Sequence, residues 1–250
     1  MACLSMLMAA LWHSVAPADG FFGYRSLDIE GWDVRMEREL DRRNFIVAKA
    51  VEAEVARQLD AIERQLPPWH LPAMQAVTLW ISYSNEPGLA YHDSLEYLID
   101  QGRDSRMLGG IEIEDARDFL AMAEIQSGVL LHEFTHALHH QRHNWRFAAI
   151  DEAWLNARRS DLYRNVAHRH AGEPRDAYAL TNPREYLAEL SQAFFAENAM
   201  FPFNRRDLRE YDAKGYRAVF AFWCEPPSSD WAGKAVPACD GAFDQPDVSE

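Results

Sequence analysis

Two histidines and a glutamate with metal-site spacing are the chemically most informative residues of the sequence. They lie in His132-Glu133-Phe134-Thr135-His136, an H-E-x-x-H pattern within an apolar, helix-favouring segment, residues 128–138. On an α-helix, His132 and His136 leave the same face and can bind one zinc ion. Glu133 can then act as a general base towards zinc-bound water. The pattern predicts a zinc-binding helix; a solvated helix face whose histidines bind nothing is the alternative.

A catalytic zinc site needs a third protein ligand, which the same helix does not supply. Catalytic zinc ions usually have three protein ligands and one open position. In the extended pattern H-E-x-x-H-x-x-G-x-x-H a later histidine completes the set, but here position 139 is His and position 142 is Arg. His139, His140 and His143 lie one or two turns further along the helix axis, too far to close a tetrahedron. We expect these three side chains to be exposed or to support the ligands by hydrogen bonds.

The best third donor is Glu185, near the start of a second predicted helix. Glu185 and Glu189 share a helix face, so one carboxylate can bind zinc while the other hydrogen-bonds a ligand histidine. An alternative is that Glu185 belongs to a capping-box-like start in which Asn182 is the N-cap. That explanation does not account for Glu189. Asp151 and Glu152 are competing donors, since they follow the first motif more closely.

The two motifs together resemble a known family. H-E-F-T-H followed by Y-A-L-T-N-P-R-E-Y-L-A-E, residues 178–189, is similar to the catalytic domain of anthrax lethal factor and related gluzincin-type zinc metallopeptidases. The similarity covers residues 90–200, approximately. It implies a zincin-like fold and chemistry, but no particular target. The roles it implies are zinc ligands for His132, His136 and Glu185, the base for Glu133, a hydroxyl near the metal for Tyr178, and a support of the ligands for Glu189.

The function expected from this resemblance is zinc-dependent hydrolysis of peptide bonds, with a peptide or protein as substrate. One alternative is a non-catalytic exported protein with a structural or vestigial zinc site, which predicts a closed set of four ligands. Another is hydrolysis of a non-peptide amide, as in peptide deformylases. That reading needs an upstream cysteine ligand, and only Cys3 precedes the motif.

The elements that must position these residues are mostly helical. Alternating apolar residues predict a strand with a bend at Gly31 over residues 24–36, and further strands over 76–83 and around Ile111 and Ile113. Helical periodicity covers residues 37–65, 115–141 and 149–162. His92 could line a cleft, although a satisfied core or surface histidine is the more typical role. We therefore expect an α+β, mainly helical domain over residues 19–250, with a small β-sheet beside the H-E-x-x-H helix and a metal site within residues 124–200.

The net charge of the protein and its number of cysteines indicate which binding partners and which cellular compartment to expect. A formal net charge of −14, with no basic run, argues against a nucleic-acid or anionic-membrane partner. Residues 1–18 resemble a signal peptide, because a short apolar run precedes Ala16-Pro17-Ala18; a buried N-terminal helix is the alternative. If Cys3 is removed with the leader, an even pair remains, Cys224 and Cys239, in the tail over residues 224–250. These two can form a disulfide; the alternative is that they are buried thiols of a cytosolic protein. We expect a secreted or periplasmic protein without stable membrane insertion.

Overall fold

The computed structural model describes residues 23–84, 86–170, 172–226 and 239. The expected signal peptide, residues 1–18, lies outside the described residues. The described chain is mixed α+β and mainly helical. Its strands are β1 Tyr24–Ile29, β2 Trp32–Glu37, β3 Leu79–Ile81, β4 Leu89–Tyr91 and β5 Ile111–Ile113. Its α-helices are α1 Arg38–Arg43, α2 Phe45–Gln65, α3 Leu71–Gln75, α4 Leu95–Asp100, α5 Ala116–Ile125, α6 Val129–His143, α7 Ala148–Arg159, α8 Pro183–Phe195, α9 Arg205–Tyr211 and α10 Ala213–Cys224.

The five strands form one sheet in the order β1-β2-β3-β5-β4. The pairs β2/β3 and β3/β5 are parallel, whereas β1 and β4 pair antiparallel with their neighbours at the two edges. β3 and β5 are buried along their whole length, as expected for short apolar strands in the middle of a sheet. β4 is an edge strand, and α6 packs against it.

Helix α6 is the central helix, and its residues from Val129 to His139 are all buried. It packs against α2 and α8. Gly128, at its start, allows this close approach, because a Cβ there would lie 2.8 Å from the Cβ of Ala196 just after α8. Asn144 ends α6 in the left-handed conformation, with φ +46°. The H-E-x-x-H residues are therefore held on a rigid element in the core.

The predicted element types are largely confirmed, but several boundaries differ. Residues 24–36 form two strands joined at Glu30 and Gly31 rather than one bent strand, because both residues have positive φ and reverse the chain. The single helix expected over 37–65 is divided at Asn44, whose side chain caps α2. The helical region 115–141 is divided between Gln126 and Gly128. The sequence pattern missed β4, which is only three residues long.

Cys224 and Cys239 form a disulfide, with their Cα atoms 5.6 Å apart. The bridge connects the end of α10 to the tail, as the even cysteine pair predicted. None of the described helices is long and apolar enough to cross a membrane.

Candidate metal centre

Three potential ligands from two helices meet at one point. His132 and His136 lie on successive turns of α6, and Glu185 lies in the first turn of α8. Oε2 of Glu185 is 3.1 Å from Nε2 of His132 and 3.2 Å from Nε2 of His136. The three donor atoms lie within 4.8 Å of one another. Both histidines are buried, with 9% and 8% of their surface exposed. This group could bind a metal ion.

The donor set fits a small divalent cation such as zinc. Ligand atoms about 2.0–2.2 Å from a tetrahedral zinc are separated from one another by roughly 3.3 Å, close to the two nitrogen–oxygen distances here. Burial lowers the pKa of the His132 imidazole, but its hydrogen bonds to Glu185 and Glu189 outweigh this effect and raise that pKa well above its ordinary value. The buried carboxylates thus favour a positive charge between the side chains, which a metal ion can supply.

Glu185 is directed at the histidines rather than at the helix backbone. Asn182 is the N-cap of α8, and its Oδ1 accepts hydrogen bonds from the backbone N–H groups of Arg184 and Glu185. Pro183 occupies the first helical position. The capping interpretation is therefore right for Asn182, but the Glu185 side chain faces His132 and His136 instead of closing a capping box. Burial raises the pKa of Glu185, but the hydrogen bonds and charges of the two histidines outweigh this effect and lower that pKa below its ordinary value.

Glu189 lies behind His132, one helical turn after Glu185. Its Oε1 is 3.4 Å from Nδ1 of His132, and its Oε2 accepts a hydrogen bond of 3.0 Å from the Asn198 side chain. A carboxylate at Nδ1 favours the tautomer in which Nε2 is free to bind a metal. Nδ1 of His136 is buried and has no hydrogen-bond partner among the described residues. Helix α8 thus places a carboxylate at Nδ1 of His132 but none at Nδ1 of His136.

Glu133 is held by the edge strand β4. Its Oε2 accepts a 2.9 Å hydrogen bond from the backbone N–H of Tyr91. The backbone of His92 bonds Gly109 and Gly110, just before β5, so the N–H of Tyr91, its neighbour, points to the open edge. Burial raises the pKa of Glu133, which lies beside His132 and His136. The strand that sequence patterns missed therefore fixes the carboxylate next to the metal-binding group, and no side-chain motif could have indicated a backbone donor.

Tyr178 lies at the outer side of the centre, in a 3₁₀ turn over Tyr178–Leu180 that packs against α8. Its ring stacks with that of His132, with centroids 6.4 Å apart, and 53% of the residue is exposed. Burial of part of the ring, together with the nearby Glu185 and Glu133, raises the pKa of the phenol. The hydroxyl group therefore stays protonated at neutral pH and can donate a hydrogen bond.

The competing ligands do not join the group. Asp151 and Glu152 lie on α7, and neither belongs to the His132, His136 and Glu185 set, which is the one such group of three among the described residues. His92 is a buried histidine whose Nε2 bonds Glu112 at 2.9 Å, so it does not line a cleft.

The additional histidines of α6 have different surroundings. His139 is fully buried rather than exposed, and neither of its ring nitrogens has a partner among the described residues. It packs instead against the rings of Trp145 and Phe222. Nδ1 of His140 and the Tyr91 hydroxyl group are hydrogen-bonded, 2.9 Å apart. The expectation of an exposed or supporting role is thus wrong for His139.

Comparison of the chain with protein-family models, with curated proteins and with solved structures finds no match.

Proposed function

We propose that this protein is a zinc-dependent metallopeptidase with a zincin-like, gluzincin-type site. The observation that carries the proposal is the approach of Glu185 in α8 to His132 and His136 in α6, beside the carboxylate of Glu133. Among the described residues three donors meet, which leaves a coordination position for water and favours a catalytic over a closed structural site. The lethal-factor-like spacing of residues 178–189 supports the same reading.

The residues of the centre have complementary roles in this mechanism. Bound zinc supplies Lewis acidity to the scissile carbonyl and makes the attacking water more acidic. Glu133, oriented by the N–H of Tyr91, accepts the proton of the water and passes it to the leaving amine. Tyr178 donates a hydrogen bond to the oxyanion that develops on the carbonyl oxygen. Glu189 keeps the His132 ring in its binding orientation.

The open edge of β4 supports a peptide as the substrate. Leu89 directs its backbone N–H and carbonyl groups away from β5, and Tyr91 directs its carbonyl group the same way, while the Tyr91 N–H bonds Glu133. An extended peptide can add to such an edge by backbone hydrogen bonds. A deformylase-like site is not favoured, because the described cysteines, Cys224 and Cys239, are joined to each other.

We also propose that the protein is exported, to the periplasm or the medium. The leader-like residues 1–18 and the disulfide Cys224–Cys239 support this, since disulfides persist mainly in oxidising compartments.

The proposed function is tested with the full chain, Glu133→Gln and Glu152→Gln. We expect about one zinc ion per chain in all three, since Glu133 is not a ligand. Hydrolysis of an unbiased peptide mixture, read by mass spectrometry, should fall at least about 10³-fold in Glu133→Gln, because the base is lost. Glu152→Gln, at an exposed carboxylate on α7, is the matched control and should cleave as the unchanged protein does. Equal cleavage by Glu133→Gln would rule out this mechanism.

A further inference from the structure

A stacked arginine lies at the rim of the candidate metal centre. Arg184 immediately precedes Glu185 in the first turn of α8, and its guanidinium carbon is 4.0 Å from the centroid of the Trp145 ring. The indole also packs against His136, with centroids 6.1 Å apart, and stacks with His140 at 5.0 Å. Stacking fixes the plane of a guanidinium group while its N–H donors, which lie in that plane, remain available for a carboxylate.

Trp145 is held in this place by an uncommon backbone conformation. Asn144 ends α6 with φ +46°, and Trp145 follows with φ +65°. A helix end commonly has one residue in the left-handed region, but a second, bulky residue there is strained. The second left-handed residue places the indole between the metal-binding helix and Arg184.

The guanidinium group of Arg184 has only a weak carboxylate partner among the described residues. Its Nη1 lies 3.4 Å from Oδ2 of Asp93, and the two side chains are 46% and 34% exposed. A strong bidentate pair would have two contacts of about 2.8 Å. Asp93 follows β4 by two residues, so the contact also shows that Arg184 lies near the end of the strand whose open edge faces Glu133.

We propose that Arg184, oriented by Trp145, binds a carboxylate of the substrate next to the cleaved bond. The carboxylate is either an acidic side chain or a free C-terminus. This inference rests on the proposed function, because it assumes that a peptide lies along β4. The acidic net charge of −14 repels such a substrate at long range, so the preference depends on this local cation and its bidentate geometry.

The test measures binding on zinc-loaded Glu133→Gln protein, so that it does not depend on turnover. Fluorescence polarisation compares labelled peptides of one sequence that carry Glu or Gln at each position in turn, with a free or an amidated C-terminus. We expect one carboxylate to tighten binding about 10-fold or more, and Arg184→Gln to abolish that difference. Arg184→Glu should instead prefer Lys at the same position. The position that responds identifies the side chain or the C-terminus as the source.

Arg158→Gln is the matched control, because Arg158 also stacks on a tryptophan, Trp154, at 4.7 Å, but on α7. It should keep the full preference. A preference that survives Arg184→Gln, no preference for any carboxylate, or no peptide binding at all would each overturn the inference. Absence of hydrolysis by the unchanged protein, with a carboxylate preference in binding, would count against the proposed function and leave this subsite standing.

Discussion

At the scale of single residues, Glu189 connects the orientation of the His132 ring to the rest of the protein. Its carboxylate touches Nδ1 of His132 on one side and the Asn198 amide on the other. The sequence spacing predicted that Glu189 lies on the same helix face as Glu185, and the structure shows that Glu189 contacts His132. Such carboxylates raise the basicity of a ligand histidine and fix its tautomer.

We therefore expect Glu189→Gln to weaken zinc binding by about 10-fold to 100-fold, because the imidazole loses its anionic partner. Competition with a chelator of known affinity measures the effect. Glu197→Gln, which removes an exposed carboxylate paired with Arg169, is the control and should bind zinc normally. If Glu189→Gln kept the full affinity, Glu189 would have no influence on His132.

At the scale of elements, the start of α8 determines where the Glu185 carboxylate lies. Asn182 binds the first free N–H groups of the helix, including that of Glu185 itself. The same short segment thus begins the helix and directs a ligand into the centre. The capping interpretation applies to Asn182, whereas the Glu185 side chain belongs to the group that could bind a metal ion.

Asn182→Ala should destabilise the protein by about 1 kcal/mol, the usual cost of losing an N-cap, and should also weaken zinc binding, because Glu185 becomes less well positioned. Denaturant unfolding and zinc titration measure the two effects. Asn204→Ala removes the equivalent cap of α9, where Asn204 accepts from the N–H of Asp207, and should reduce stability alone. Equal zinc affinity in the two variants would contradict this role of Asn182.

At the scale of the whole molecule, His70 joins elements that are distant in sequence. Its Nε2 donates to the carbonyl oxygen of Trp223 in α10, 2.8 Å away, and its Nδ1 accepts from Arg142 in α6. Burial, partly offset by the Trp223 carbonyl group, lowers the pKa of His70 to about 4. Protonation would place a buried cation at His70 beside the Arg142 guanidinium group and break the contact between these elements.

The sign of the pH dependence follows from this pKa. In the unfolded chain a histidine titrates near 6.5, so below that pH the unfolded state binds the proton more readily. The contribution of neutral His70 to stability is complete above about pH 6.5 and is lost as the pH falls towards about 4. We expect a loss on the order of 2 kcal/mol by pH 4.5. The free energy of unfolding, measured with denaturant at pH 7 and pH 4.5, should fall less between the two pH values in His70→Gln than in the unchanged protein.

His170→Gln, at an exposed histidine, is the control for this experiment and should retain the pH dependence of the unchanged protein. His139 is a second buried histidine whose pKa is lowered to about 4, chiefly by burial, so His70→Gln should remove only part of the effect. A pH dependence that His70→Gln leaves unaltered would show that His70 is not one of its sources.

The sequence by itself determined the residues that meet at the centre. Spacing of four residues places His132 and His136 on one face of a helix wherever that helix lies, and it does the same for Glu185 and Glu189. Helix periodicity and the Asn182-Pro183 start likewise act locally, so these elements could be predicted. The mixed α+β class also followed from local pattern. The cysteine count allowed a bridge between Cys224 and Cys239 but left buried thiols open, and the structure has the disulfide.

Only the tertiary structure decided how the helices meet and what holds Glu133. The approach of Glu185 to the histidines depends on the packing of α6 against α8, a contact between segments about fifty residues apart. β4 was missed because its sequence, Leu-Ala-Tyr, lacks the alternation of apolar and charged residues that Ile111-Glu112-Ile113 shows in β5. Its contribution is a backbone N–H, which every residue except proline carries. The stacking of Arg184 on Trp145 likewise joins α8 to the end of α6. Such contacts arise from chain packing, which no local spacing encodes.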